Sequence, residues 1–138
     1  MRSSFPASSW EVEQKITQLA RDGSITQPAI VVAISNRGAH NLRERDYFPE
    51  KTLANISSDE WGDTYLPADF RLTCRGDEYA AFVAGDVKPF IDSHYSTMPE
   101  REHTFTMGSS MGALIALYIM CEYPGTVGGA ACMSTHWV

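Results

Sequence analysis

The 138-residue sequence has little with which to hold a metal, a disulfide framework or a polyanion. Its three cysteines, Cys74, Cys121 and Cys132, are odd in number and widely spaced, and none forms a Cys-x-x-Cys pair. Neither a zinc site nor a set of disulfides is expected, and the thiols read as small hydrophobes. Lys and Arg number 11 against 17 Asp and Glu, a formal net charge of -6. Without a clustered basic surface, nucleic acid and anionic membrane are excluded as expected partners. No apolar run approaches the ~20 residues that span a bilayer. The start, Met1 to Pro6, lacks the apolar centre of a secretory leader, so the expected compartment is cytoplasmic. Asn55-Ile56-Ser57 matches a glycosylation acceptor, which matters only in a secreted chain, and reads here as chance.

What the sequence does have is apolar material, 43% of residues with 11% aromatic, enough for one ordinary domain over residues 1–138. From about Ser8 to Asp22, Val12, Ile16, Leu19 and Ala20 recur at helical spacing. Ser8 with Glu11 makes a capping box, and Gly23 follows as a stop. Pro28 to Ile34 is an uninterrupted β-branched run, the pattern of a parallel strand covered on both faces. Periodicity then fails from Ser35 to Arg75, a stretch too long for an ordinary connector. It returns near Asp77, where Tyr79, Phe82, Val83, Val87, Phe90 and Ile91 would share one helical face, with Pro89 loosening its last turns. His103 to Met107 reads as a buried strand. Ala113 to Met120 is apolar nearly all round, so that helix must be buried. Tyr123-Pro124-Gly125 stops it, and Val127 to Met133 supplies a last strand. Helix and strand alternate three times, which predicts an α/β fold with a mostly parallel sheet built from βαβ units.

One motif carries chemistry. Gly108-Ser109-Ser110-Met111-Gly112 fits the Gly-x-Ser-x-Gly nucleophile elbow, and here a predicted strand enters it and a predicted helix leaves it. The chemistry needs a serine on a sharp, strained turn whose hydroxyl projects above the strand ends, and the flanking Gly108 and Gly112 remove side chains that would collide there. The helix beginning near Met111 brings free N–H groups and partial positive charge, so the Met111 N–H is a candidate oxyanion donor. Ser110 is then the nucleophile and Ser109 filler. A Gly/Ser turn that merely joins strand to helix is the bland alternative. A phosphate-binding loop also lies between strand and helix, but the Lys of a P-loop and the spacing of a dinucleotide fingerprint are both missing.

Gly-Ser-Ser-Met-Gly before an apolar helix and Tyr123-Pro124, with Ile30 to Ile34 leading into Arg43, Tyr47 and Pro49, resembles the enterochelin-esterase and esterase-D branch of the α/β-hydrolases. The resemblance covers most of the chain and is weakest from Glu50 to Leu72. It implies an α/β-hydrolase fold and hydrolysis of a carboxylic ester by Ser-His-Asp chemistry, with no cofactor and a small-molecule ester as partner. Only Ser110 and the Met111 N–H carry over residue by residue. In that family the acid and the His follow on loops after later strands, positions this chain lacks, and a strand and an oxyanion-donor loop precede the first helix. The chain is therefore expected to be a partial α/β-hydrolase fold that lacks a central strand and self-associates through unpaired edges.

Four histidines are candidate bases. His40 lies in the aperiodic stretch, His94 near a helix end beside Asp92, and His103 at the wrong end of the nucleophile strand. His136 follows the last strand at its carboxyl end, the edge on which the Ser110 elbow opens and where open α/β sheets place their sites. It is the candidate catalytic base, against the plainer role of shaping a pocket. Two classes of function stand: a serine ester hydrolase, or a non-catalytic module that keeps the sheet and elbow and only binds. No metal-ligand spacing is present.

Overall fold

The computed structural model describes residues 11–36, 42–57 and 69–137. The chain divides into two compact units, Met1–Ile34 and Ser35–Val138.

In the first unit, helix α1 runs from Val12 to Arg21. It begins three residues later than a Ser8–Glu11 capping box requires. Glu11 is itself the N-cap, at φ 48°, so it cannot be the third helical residue of such a box. Ser8 lies outside the described residues. The expected stop holds: the Asp22 N–H returns to the Gln18 carbonyl and Gly23 takes φ 79°, the left-handed conformation that glycine adopts at low cost.

The expected strand over residues 28–34 does not form. Ile30, Val31 and Val32 stay 49%, 47% and 43% exposed, and no ladder bond reaches them among the described residues. A β-branched run is only a propensity for extended chain; a strand exists once a neighbour supplies the alternate donors and acceptors.

The second unit holds the core. Helix α2 (Leu42–Tyr47), a 3₁₀ turn (Glu50–Asn55) and helix α3 (Phe70–Thr73) occupy part of the stretch in which no regular structure was expected. They bury Tyr47, Phe48, Leu53, Phe70 and Cys74. Phe48 and Phe70 meet edge to face with ring centroids 5.3 Å apart, a favoured quadrupole arrangement. Arg71 donates to the carbonyls of Leu53 and Ile56, a cation at the carbonyl end of the 3₁₀ turn.

Helix α4 (Gly76–Phe82), a π turn (Val83–Val87) and helix α5 (Lys88–His94) form one continuous helical run. Pro89 has no N–H to return to the Gly85 carbonyl, and the widened turn sits directly before it. Phe82 and Phe90, on either side of that turn, are 45% and 55% exposed, and the helix buries Ala80 and Ala84 instead of a stripe that includes both rings.

A 3₁₀ turn over Arg101–His103 precedes strand β1 (Phe105–Ser109), two residues later than its sequence pattern indicates. Helix α6 (Met111–Glu122) crosses to strand β2 (Gly129–Met133), and the two strands pair in parallel from Phe105↔Gly129 to Ser109↔Met133. This βαβ unit is the architectural centre. α6 buries Met111, Ala113, Leu114, Ile115, Ala116, Tyr118 and Ile119, as an all-round apolar helix must. Thr106 Oγ1 donates to the Ala116 carbonyl at 3.0 Å, tying helix to sheet. Helices and a small parallel sheet make the fold α/β.

Candidate active site

The end of β1 and the start of α6 meet at Ser110, where the backbone takes φ 56° and ψ -125°. For a residue with a Cβ this region is sparsely populated and costs on the order of 1–3 kcal/mol. The surroundings over-determine it. The Ser110 N–H donates to the Met133 carbonyl at 3.0 Å, extending the β1–β2 ladder one residue beyond Ser109. The Ser110 carbonyl accepts the Ala113 and Leu114 N–H groups at 3.0 and 3.4 Å, which starts α6. Both backbone groups are consumed, one by the sheet and one by the helix, and these bonds hold the residue at its positive φ.

The two motif glycines divide the work unequally. A Cβ on Gly108 would lie 2.9 Å from the Ala113 nitrogen and closer still to the Gly112 carbonyl, so α6 can approach β1 only over a bare Cα. A Cβ on Gly112 would meet nothing within 4 Å among the described residues.

The first N–H groups of a helix have no intrahelical acceptor, and those of Met111 and Gly112 find none elsewhere among the described residues. Met111 is the first residue of α6, so its N–H stands at the positive end of the helix dipole. Ser110 is half-buried beside these donors, which could hold an oxyanion; attack on a carbonyl needs in addition a base to take the hydroxyl proton.

The three described histidines, His94, His103 and His136, lie in different elements of the fold. His94 ends α5, stacked on Phe90 with ring centroids 4.1 Å apart, its Nδ1 within 2.8 Å of the Phe90 carbonyl. His103 is in the 3₁₀ turn before β1, the end of the sheet opposite Ser110. His40 lies outside the described residues. His136 is half-buried in the segment that leaves β2 on the Ser110 side, after a turn at Ser134 with φ 44°. Among the described residues no histidine is hydrogen-bonded to Ser110. Nor does any group of three or more His, Cys, Asp or Glu there have the placement to hold a metal ion.

Sequence reasoning missed a groove on the flank of α6. It has a volume of about 480 Å³ and is lined by the 3₁₀ turn at Glu50–Asn55, by Leu114, Leu117, Tyr118 and Cys121, and by Trp137. The helical repeat of 114, 117, 118 and 121 was legible, but its opposite wall comes from the aperiodic stretch.

Among protein-family models, residues 7–137 match the family described as "Putative esterase". No curated protein and no solved structure matches the chain. Among the described residues no helix is long and apolar enough to cross a membrane.

Proposed function

The chain belongs to that esterase family, and on this premise we propose that it hydrolyses carboxylic esters with Ser110 as nucleophile, in the manner of the enterochelin-esterase and esterase-D branch of the α/β-hydrolases. The observation that carries the assignment is the Ser110 backbone, φ 56° at a strand-to-helix junction whose Gly108 admits the helix at contact distance.

In the proposed reaction Ser110 Oγ attacks the ester carbonyl carbon while a base takes its proton. The Met111 N–H donates to the developing oxyanion. Collapse of the tetrahedral intermediate expels the alcohol, which receives the proton, and water then cleaves the acyl-serine by the same steps. His136 is the proposed base, because it shares the carboxyl edge of the sheet with the elbow and because catalytic hydrogen bonds tighten only when substrate is bound. An acid to orient it is not among the residues assigned, and no cofactor enters any step.

The test is labelling with a fluorophosphonate, which requires an activated serine. Peptide mapping should find the label on Ser110 and on no other serine, with Ser110→Ala abolishing it and His136→Gln slowing it. Hydrolysis of p-nitrophenyl acetate should be weak, since loss of a triad member typically leaves about 10³–10⁴-fold over water. Label on Ser109 would overturn the elbow's register. No label under any condition would favour the non-catalytic module, for which the separation of the three described histidines is the supporting observation.

A further inference from the structure

Ser110 and Ser134 stand at the carboxyl ends of adjacent parallel strands, and both take a positive φ, 56° and 44°. Among the described residues only Glu11, in the other unit, is a third non-glycine residue of this kind. One peptide unit joins the pair. The Met133 carbonyl, which accepts the Ser110 N–H at 3.0 Å, belongs to the same planar unit as the Ser134 N–H. Strained residues persist only where their surroundings hold them, and Ser110 is held by the ladder and by the first turn of α6. Ser134 is exposed, so packing of its side chain does not impose its conformation.

What holds Ser134 there follows from the alternatives open to a peptide plane. Turning the Met133–Ser134 unit by half a revolution leaves the flanking Cα atoms in place and takes φ of Ser134 from 44° to about -136°, an ordinary extended value. The flip relieves the strain. It also aims the Met133 carbonyl away from Ser110 and puts the Ser134 N–H in its place, donor against donor. The N–H of half-buried Ser110 would lose its acceptor, a cost comparable to that of a lost hydrogen bond. That cost keeps the peptide in its strained form.

We propose that Ser134 is a positioning residue of the esterase site: its left-handed turn at the end of β2 keeps the Met133 carbonyl on the Ser110 N–H, and so fixes the backbone from which the nucleophile projects. The part Ser134 plays is that of its backbone, and its hydroxyl has no share in it. The proposal rests on Ser110 being the esterase nucleophile, so its test includes a readout that needs no turnover.

That readout is hydrogen exchange of the Ser110 amide in the full chain, resolved by NMR. The internal control is the Gly128 amide, bonded to the Thr104 carbonyl at the far end of the same sheet. Ser134→Val and Ser134→Thr put a β-branched side chain at a left-handed position, so they should flip the peptide and speed Ser110 exchange about tenfold while Gly128 keeps its rate. Ser134→Gly adopts φ 44° freely and should stay within about twofold of the parent. Fluorophosphonate labelling of Ser110 should follow the same order, about tenfold slower in the two β-branched variants and near parental in the glycine variant, with the pH midpoint of labelling unchanged. Parental behaviour of Ser134→Thr with a slow Ser134→Gly would assign the effect to the hydroxyl and overturn the proposal. Faster exchange of both amides together, a general loosening, would also overturn it. So would a shifted pH midpoint with Ser110 exchange unchanged, which moves the role to the segment carrying His136. Exchange as expected with no labelling of Ser110 in any variant or in the parent would keep the coupling of the two turns and remove the esterase reading.

Discussion

Alanine at the two motif glycines should have opposite effects, although both stand in the same five-residue signature. At Gly108 the new Cβ would lie 2.9 Å from the Ala113 nitrogen and nearer to the Gly112 carbonyl, and both obstacles are backbone. No rotamer change relieves them. α6 would have to lift from β1 at the point where Ser110 bridges sheet and helix. Overpacking costs typically about 1–3 kcal/mol, and a backbone obstacle puts Gly108→Ala at the upper end, about 3 kcal/mol. For a chain of this size each kcal/mol moves Tm by about 3–5 °C, so the expected fall is about 10 °C. At Gly112, the second residue of α6, the added Cβ would meet no atom within 4 Å outside its own stretch of helix among the described residues. Alanine replaces glycine in a helix with a gain of about 0.5–1 kcal/mol, a rise of about 2–4 °C. Thermal unfolding followed by circular dichroism measures both. A Gly108→Ala protein that melts with the parent would refute the close approach of α6 to β1. An equal loss in both variants would refute the unequal division of the motif.

Ser110→Gly should abolish fluorophosphonate labelling and at the same time raise Tm by a few degrees, because glycine adopts φ 56° without the side-chain strain; a lower Tm would mean that the elbow stores no strain. Cys74 should resist maleimide at pH 7 while Cys121 and Cys132 react, since burial pushes its thiol pKa up to about 11; peptide mapping that finds Cys74 labelled in the folded chain contradicts its packing. Phe70→Ala should cost about 3–5 kcal/mol, the usual result for a fully buried aromatic, read as a drop in urea midpoint. Finally, Phe105, Met107 and Met133 stay 69%, 49% and 39% exposed on the small sheet, and each strand of a two-stranded sheet leaves one edge unpaired. Sedimentation over a concentration series should therefore show self-association, and a monomer at every concentration would disprove it.

The features that sequence determined by itself are those that depend on residues a few positions apart. Gly108 before Ser110, the apolar run from Ala113 to Met120 and the stop at Tyr123-Pro124 specify a strand-to-helix junction and a buried helix from local sterics and local hydrophobicity. The parallel βαβ unit follows from their order. Only tertiary structure decided the rest. Pro28 to Ile34 has the composition of a strand, yet pairing is a property of two segments, and β1 and β2 pair with each other alone in the described sheet. Residues 42–57 and 69–75 show no period, yet they form a wall of the core, because short helical turns bury Phe48 and Phe70 by placement and not by repetition. Phe82 and Phe90 fit an apolar helical face by spacing, yet both stay exposed because the helix packs through the small side chains of Ala80 and Ala84. The same line separates Ser110 from the groove on the flank of α6: the conformation of Ser110 was legible because neighbouring backbone imposes it, whereas the groove joins residues 48–56, 114–121 and 137, which only folding brings within contact.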